Sequence, residues 1–396
     1  MGKNVLERMA ENGAEQRIEE FKAMQCRDYA FKKAHAEEVA WKFYEHPEIN
    51  RMAYVAVGGL DSITLLCFLR SIGIDIPAVS VSVLEDKSIQ HAHKELGVTA
   101  LKPLRSKVGV VREFGWPVLS KEIAGKISLL QHPSPDNATV RHAIITGETG
   151  EYGGYRKDTR MKLSQIWLDR FGGADAEGAA LGYDAAPFLV SDKCCYYLKE
   201  KPCDDYAKES GRYPMMGLMA SEGGRRQKAL MLNGCNYISP GTKRSAPFAI
   251  FSRQDVLRLN RELGAPVPEV YGEIVGDGID GTHYTAEQIC EIAAEDPDRF
   301  DWITLKTTLA QRTGCSMCGF GITLEKRPHR FDILRKQSPK EWEFWMKHVM
   351  QDENGEWYGW GRVLDYIGVG WDDDPFGNLD GQISMFQEGG DMYELS

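Results

Sequence analysis

The 396-residue chain carries 48 Lys and Arg against 58 Asp and Glu, a formal charge of −10, which argues against a broad nucleic-acid-wrapping surface while leaving room for local basic patches. With 42% hydrophobic and 27% charged residues, it has the balance of a globular protein long enough for two domains, or one large domain with additions. No basic-then-apolar leader and no apolar run long enough to span a bilayer stand in the sequence, so the expected compartment is the cytoplasm, where nine cysteines read as metal, cluster or redox residues before disulfides.

From about Asn4 to Glu45 the chain is charged and helix-prone, ending at Pro47, which predicts a helical lead-in. Tyr54 to Val57 then reads as a buried strand of aromatic and β-branched residues. Gly58 and Gly59 make a tight turn. Asp61 or Ser62 is a natural N-cap for a helix carried on by Ile63, Leu65, Leu66, Leu69 and Arg70. Pro77 to Leu84 reads as a second strand, and "DKSIQHAHKELGV" as a helix closed by Gly97. Strands alternating with helices predict a parallel α/β sheet. Arg141 to Phe171 predicts a short strand, a glycine-rich loop and a basic helix. The Gly/Ala/Asp-rich passage Gly172 to Pro187 marks a boundary. The next stretch, to about Met350, holds most of the cysteines. Asp372 to Ser396 has no Lys or Arg and is expected to be a disordered acidic tail. The expected divisions are therefore residues 1–50 as lead-in, 51–186 as nucleotide-binding domain, 187–350 as a cysteine-rich substrate region, and 351–396 as C-terminal extension. There is no internal repeat.

A strand, a glycine turn and a capped helix aim backbone N–H groups and a helix N-terminus at one spot, an arrangement that binds phosphates. The loop is neither a kinase-type phosphate loop, whose lysine is absent, nor a dinucleotide fingerprint, whose G-x-G-x-x-G is absent. The bland reading is a strand-to-helix turn with a good cap. "GETGEYGGYRK", Gly147 to Lys157, is a second glycine-rich loop; Arg156, Lys157 and Arg160 are either counter-charges for a phosphate or sulfate or a solvated basic face.

Cys315 and Cys318 form a C-x-x-C at metal-ligand spacing, flanked by Gly314 and Gly319, and adjacent Cys194 and Cys195 with Cys235 raise the candidate ligands to five. Four thiolates suit zinc or a [4Fe–4S] cluster, and spacing does not choose between them. One ligand set takes one member of the 194/195 pair with Cys235, Cys315 and Cys318, since neighbouring side chains on a strand point apart. Cys26, Cys67 and Cys290 fall in helical patterns and read as packing.

Gly58, Gly59, Leu60, Asp61 and Ser62 resemble the S-G-G-x-D-S loop of the PP-loop family, which binds ATP or adenylyl-sulfate nucleotides in a Rossmann-like sheet; asparagine synthetases carry a similar loop. Val57 stands where that family has serine. This removes one hydroxyl contact and bears on pyrophosphate cleavage more than on nucleotide binding, since backbone N–H groups supply most of the cradle. The order loop, Cys194-Cys195, Cys315-x-x-Cys318 is similar to iron–sulfur members of the phosphoadenosine phosphosulfate reductase family, over roughly Met52 to Trp345. In "MMGLMASEGGRRQ", Glu222 and Arg226 match a second motif of that family, with Gly223 in place of serine. The resemblance implies an α/β fold: a Rossmann-like parallel sheet with a helical N-terminal lead-in and a cysteine-rich α+β C-terminal lobe. It also implies a second ligand set, Cys194, Cys195, Cys315 and Cys318, for a [4Fe–4S] cluster, with zinc as the alternative. The implied nucleotide is ATP or adenylyl sulfate, or the 3′-phosphorylated form, with Mg²⁺ as companion ion.

The family's reductases attack bound sulfate with a cysteine on a C-terminal segment, and this chain has no cysteine after Cys318. Cys194 is the expected substitute, with Cys195, Cys203 and Cys235 as alternatives, and Asp61 is the expected catalytic residue of the loop. Lys193, Lys199 and Arg226 are the expected contacts to the anionic substrate, or ordinary surface charge. The expected function is sulfonucleotide reduction or sulfur transfer, served by an electron or sulfur donor. One alternative is ATP-dependent thiolation of a nucleic-acid base, in which AMP is the leaving group. Another is a non-catalytic nucleotide- or partner-binding module with structural zinc. "DGQISMF", Asp380 to Phe386, resembles the Q-x-x-[LM]-F peptides that dock on the replication clamp, through Gln382, Met385 and Phe386; otherwise it packs the tail onto the body. The aromatic run after Pro339 reads as helix and hairpin packing, or as a base-stacking surface.

Overall fold

The structure, a computed structural model, describes residues 13–172, 186–311, 313–373 and 375. The clamp-like peptide, most of the acidic tail and nearly all of the Gly172–Pro187 boundary lie outside them. The chain forms two compact units, each assembled from separate stretches: Met1–Lys107 with Cys195–Ser316, and Val108–Cys194 with Met317–Ser396. The first unit draws on separate stretches because strands from beyond residue 200 complete the sheet begun near residue 53.

In the first unit, helices Ala14–Gln25 and Tyr29–Tyr44 form the lead-in. Asp28 caps the second by accepting the Phe31 N–H at 2.7 Å, and Ala36, Val39, Ala40 and Phe43 are buried along one face. The chain then lays down β1 (Ala53–Ala56), β2 (Ala78–Ser80) and β3 (Thr99–Ala100). After β4 (Val118–Leu119), which belongs to the second unit, it returns with β5 (Tyr213–Met216), β6 (Asn236–Ser239) and β7 (Thr242–Ser245). The six strands of the first unit's sheet run in the order β3-β2-β1-β5-β7-β6. Only β6 is antiparallel to its neighbour. β1 is central, with Val55 opposite Ala78 on one side and Met215 on the other. Ala53, Tyr54 and Val55 are all buried, as expected of a strand covered on both faces.

A smaller antiparallel sheet in the same unit, β8 (Ile274–Gly278), β9 (His283–Tyr284) and β10 (Ile303–Thr307), runs in the order β10-β8-β9. Its apolar cluster joins Ile274, Ile289, Phe300 and Leu305 to Leu60 and Tyr271. That cluster anchors the first residue of the helix after β1.

The second unit pairs β4 with β11 (Gly319–Phe320) and adds the hairpin β12 (Met350–Gln351) and β13 (Trp357–Tyr358). Trp342, Trp345, Tyr358 and Trp360 of the aromatic run are buried in its core. Trp360 meets Trp116 edge-on at 4.7 Å. These rings belong to helices and a hairpin, as the first of the two readings had it.

Three elements differ from expectation. The second strand stops at Ser80 and becomes a 3₁₀ turn over Ser82–Leu84, since its outer neighbour β3 offers only two residues to pair with. The strand expected within Arg141–Phe171 is the end of a helix, Ala138–Thr146, closed by Gly147 at φ 86°. A short apolar run such as Ala143–Ile145 does not itself distinguish the two. The basic helix expected beyond it is a loop followed by a short helical stretch, Gln165–Trp167 and Leu168–Gly172. No helix among the described residues is long and apolar enough to cross a membrane.

Candidate functional site

The loop after β1 sits at the carboxyl end of the central strand. The chain leaves β1 toward β2 on one side, while β5 joins from the other, so this is a topological switch point, where α/β sheets open a crevice for ligands. The helix begins at Leu60, with Gly59 as N-cap, rather than after an Asp61 or Ser62 cap. Ser62 serves the turn instead: its Oγ accepts the Gly58 N–H at 2.7 Å and donates to the Gly59 carbonyl at 2.9 Å. Gly59 has an extended backbone, φ −79° and ψ −162°, which any residue adopts. Space is what requires glycine there, for a Cβ would collide with the Tyr271 hydroxyl and stand 3.0 Å from Thr313 Oγ1. Gly217, just past β5, closes from the other side, where a Cβ would lie 3.1 Å from the backbone of Asp61 and Ser62.

Three sets of contacts hold the loop. The Leu60 N–H donates to the Tyr271 hydroxyl at 3.0 Å, which also bonds Thr313 Oγ1 at 2.7 Å. His93, 1% exposed, donates from Nε2 to the Gly58 carbonyl at 2.8 Å, because a carbonyl only accepts; Nδ1 is then left to accept the Ser82 hydroxyl at 2.9 Å. Burial lowers the His93 pKa, in keeping with this neutral tautomer. Asp61, in the helix's first turn, pairs with Arg253 Nη1.

Glu85 approaches the Gly58 end of the loop, its Oε1 3.8 Å from where a Cβ would stand. It is almost wholly buried and pairs with Lys199 Nζ at 2.5 Å. Lys199 also bonds the Cys315 sulfur. Burial alone would depress its pKa, but Cys315 and Glu85 outweigh that and hold it raised, so the ammonium stays charged. Lys199 and Cys315 are thereby linked to Glu85 near the loop.

Gly58, Gly59, Leu60, Asp61 and Ser62 thus come together, with Lys199 beside them. Arg226 is exposed and paired with Glu222 at 2.6 Å. It lines a cavity of about 180 Å³ with Leu218, Leu230, Cys235, Tyr237 and Arg244. Lys193 is exposed and belongs to the second unit, as do Arg156, Lys157 and Arg160. Lys157 pairs there with Glu148 at 3.7 Å.

The nine cysteines form no disulfide. Cys195, Cys235 and Cys315 belong to the first unit, Cys194 and Cys318 to the second. Among the described residues no group of three or more His, Cys, Asp or Glu is arranged to hold a metal ion. Cys235 packs against the sheet's apolar core, 3.7 Å from His35 Nε2, and burial pushes its thiol up to about 12. Burial likewise pushes Cys203 up to about 11. Of the three cysteines expected as packing, Cys67 is half-buried, whereas Cys26 and Cys290 are exposed.

Glu85, His93, Arg253, Tyr271 and Thr313 have no counterpart among the expected site residues. The only sequence signal near any of them is the S-x-x-D box before Arg253's helix, which predicts a helix start and not a contact to Asp61.

No family model matches the chain, and no curated relative matches it. Among solved structures it is similar to the phosphoadenylyl-sulfate reductase of Candida auris in a phosphate complex, at 11% identity and a TM-score of 0.32, over 59% of this chain and 82% of that one. Likeness at that level says nothing of site or reaction.

Proposed function

We propose that this chain is an enzyme of the PP-loop type, which binds ATP or an adenylyl sulfate with its phosphates at Gly58–Ser62 and acts in sulfonucleotide reduction or sulfur transfer. The observation that carries the reading is the position of the Gly58-Gly59 turn: at the carboxyl end of the central parallel strand, at the switch point, opening directly onto a helix N-terminus.

The chain's own residues divide the work. The Gly59 turn and the N-terminal end of helix Leu60–Ser71 face the phosphates, while Ser62 and Tyr271 take up the Gly58 and Leu60 N–H groups and fix the turn. His93 and Ser62 hold the turn's shape through the Gly58 and Gly59 carbonyls. Lys199, kept cationic, supplies positive charge beside the Gly58 end, next to the Cys315 sulfur. In either reaction a thiolate attacks the activated sulfur or adenylated centre and the adenylate leaves with the bonding electrons. Cys194 is the nucleophile the sequence suggests, and Cys315 is the thiol whose contacts lead to the loop. The iron–sulfur and zinc expectations find no gathered ligand set among the described residues, and no step here depends on either.

Calorimetry with ATP and with adenylyl sulfate tests the reading. Binding is expected in the micromolar range typical of enzyme substrates, and failure of every adenine nucleotide to bind overturns it. Sulfite released from adenylyl sulfate with a thiol reductant identifies reduction. Thionucleosides formed from ATP with tRNA or DNA and a sulfur donor identify base thiolation.

A further inference from the structure

We propose that Arg253 clamps a tetrahedral oxyanion, the phosphate or sulfate of the bound nucleotide, with the side-on edge of its guanidinium. This rests on the nucleotide reading and adds a residue to it.

Arg253 stands at the first position of helix Arg253–Glu262, and its Nη1 is committed to Asp61 in the loop helix. Its Nε and Nη2 atoms are buried and have no hydrogen-bond partner among the described residues. Those two N–H groups lie on one edge of the planar guanidinium and point the same way. They match two oxygens of a phosphate, sulfate or carboxylate, the fork that makes arginine the preferred bidentate anion binder. Buried charged donors without partners are costly and rare in native proteins. The vacant edge therefore calls for an anion from outside the chain.

The surroundings suit a tetrahedral oxyanion. Tyr271 lies in the field of both Asp61 and Arg253. Its hydroxyl and that of Thr313 crowd the face of Gly59, and the Leu60 N–H points to the same place. Hydroxyls beside a guanidinium are common partners of phosphate and sulfate oxygens.

The arginine is also held in place in advance. Ser252 and Asp255 form a reciprocal cap at its helix's start. The neighbouring Gln254 side chain bonds both backbone groups of Leu305, at 2.6 and 2.7 Å. Two turns on, Asn260 Nδ2 donates to Thr64 Oγ1 of the loop helix at 3.0 Å, with both residues fully buried. The two helices are thus locked with Arg253 over Asp61. Lysine would keep the charge but lose the fork.

The experiment compares wild type with Arg253→Lys by calorimetry, using ATP, adenylyl sulfate, AMP and adenosine, and checks folding by thermal melting. The expected result is a loss of about tenfold or more in affinity for at least one anionic ligand, with adenosine unchanged. Loss with AMP assigns the clamp to the α-phosphate, loss confined to ATP to the outer phosphates, and loss confined to adenylyl sulfate to the sulfate. Equal affinities in the two proteins, or an equal loss with adenosine, overturn the proposal. If wild type binds none of the four, the nucleotide reading fails. The clamp is then judged with inorganic pyrophosphate and sulfate: a rise in melting temperature seen in wild type and absent from the variant upholds it, and any other result ends it. If Arg253→Lys does not fold, phenylglyoxal labelling of the wild type with peptide mapping decides. Arg253 protected by ATP or pyrophosphate but not by adenosine supports the clamp, and no protection refutes it.

Discussion

Gly59 admits no side chain, although its backbone angles suit any residue. The obstacle is the Tyr271 hydroxyl, held by the Leu60 N–H and by Thr313. Gly59→Ala should therefore cost about 1–3 kcal/mol, the usual range for overpacking. Tyr271→Phe, which removes the obstructing oxygen, should return part of that loss in the double variant. Urea denaturation of the four proteins measures this, and equal costs in both backgrounds would show that the clash is not the cause. A second residue-scale effect belongs to Cys235. Unfolded, a thiol releases its proton near pH 8.5; folded, Cys235 keeps its proton to about 12. Its contribution to stability is whole below about pH 8.5 and declines as pH rises toward the folded value, because the unfolded chain then binds fewer protons. Cys235→Ala should flatten the fall in melting temperature between about pH 8.5 and 10.5 relative to wild type; an unchanged slope contradicts it. Residues 58–62 were legible because their chemistry is contiguous. Tyr271 and Arg253 were not, because each meets the loop across about two hundred positions of chain.

The helix Arg253–Glu262 positions an arginine over the loop, and its own placement depends on a buried ion pair. Lys32 Nζ meets Asp255 Oδ2 at 2.9 Å, both side chains about nine-tenths buried, while the same oxygen accepts from the Ser252 N–H and hydroxyl at 2.6 and 2.7 Å. Asp255→Ala removes the cap and strands a buried ammonium. The expected loss is about 3–5 kcal/mol, read from chemical denaturation, and a loss under about 1 kcal/mol would mean that the pair is solvated like a surface bridge. At this scale the sequence was read well where an element has a cap and a glycine stop, as in Lys87–Glu95 between Asp86 and Gly97. It was read poorly at Ala138–Thr146, where an apolar run too short to show a period took its helical form from the residues packed on it. The helix after β1 starts two or three residues early for a related reason. Leu60 is pulled into the apolar cluster with Tyr271 and Ile274, which leaves Gly59 as the cap.

Over the whole molecule, alternating strand and helix patterns by themselves determined an α/β fold with a parallel sheet and a helical lead-in, because periodicity and turn residues act locally and survive in a linear reading. They also determined the glycine turn between the first strand and its helix. Only the tertiary structure decided which segments complete the sheet. It also decided that each compact unit is assembled from two separate stretches of chain, and that Cys235 packs against the apolar core of the sheet. It alone set Lys199 between Glu85 and Cys315, and Arg253 against Asp61 with one edge of its guanidinium vacant. Such pairings are chosen by the packing of whole elements, which depends on every buried face at once and leaves no mark in the spacing of the residues it joins.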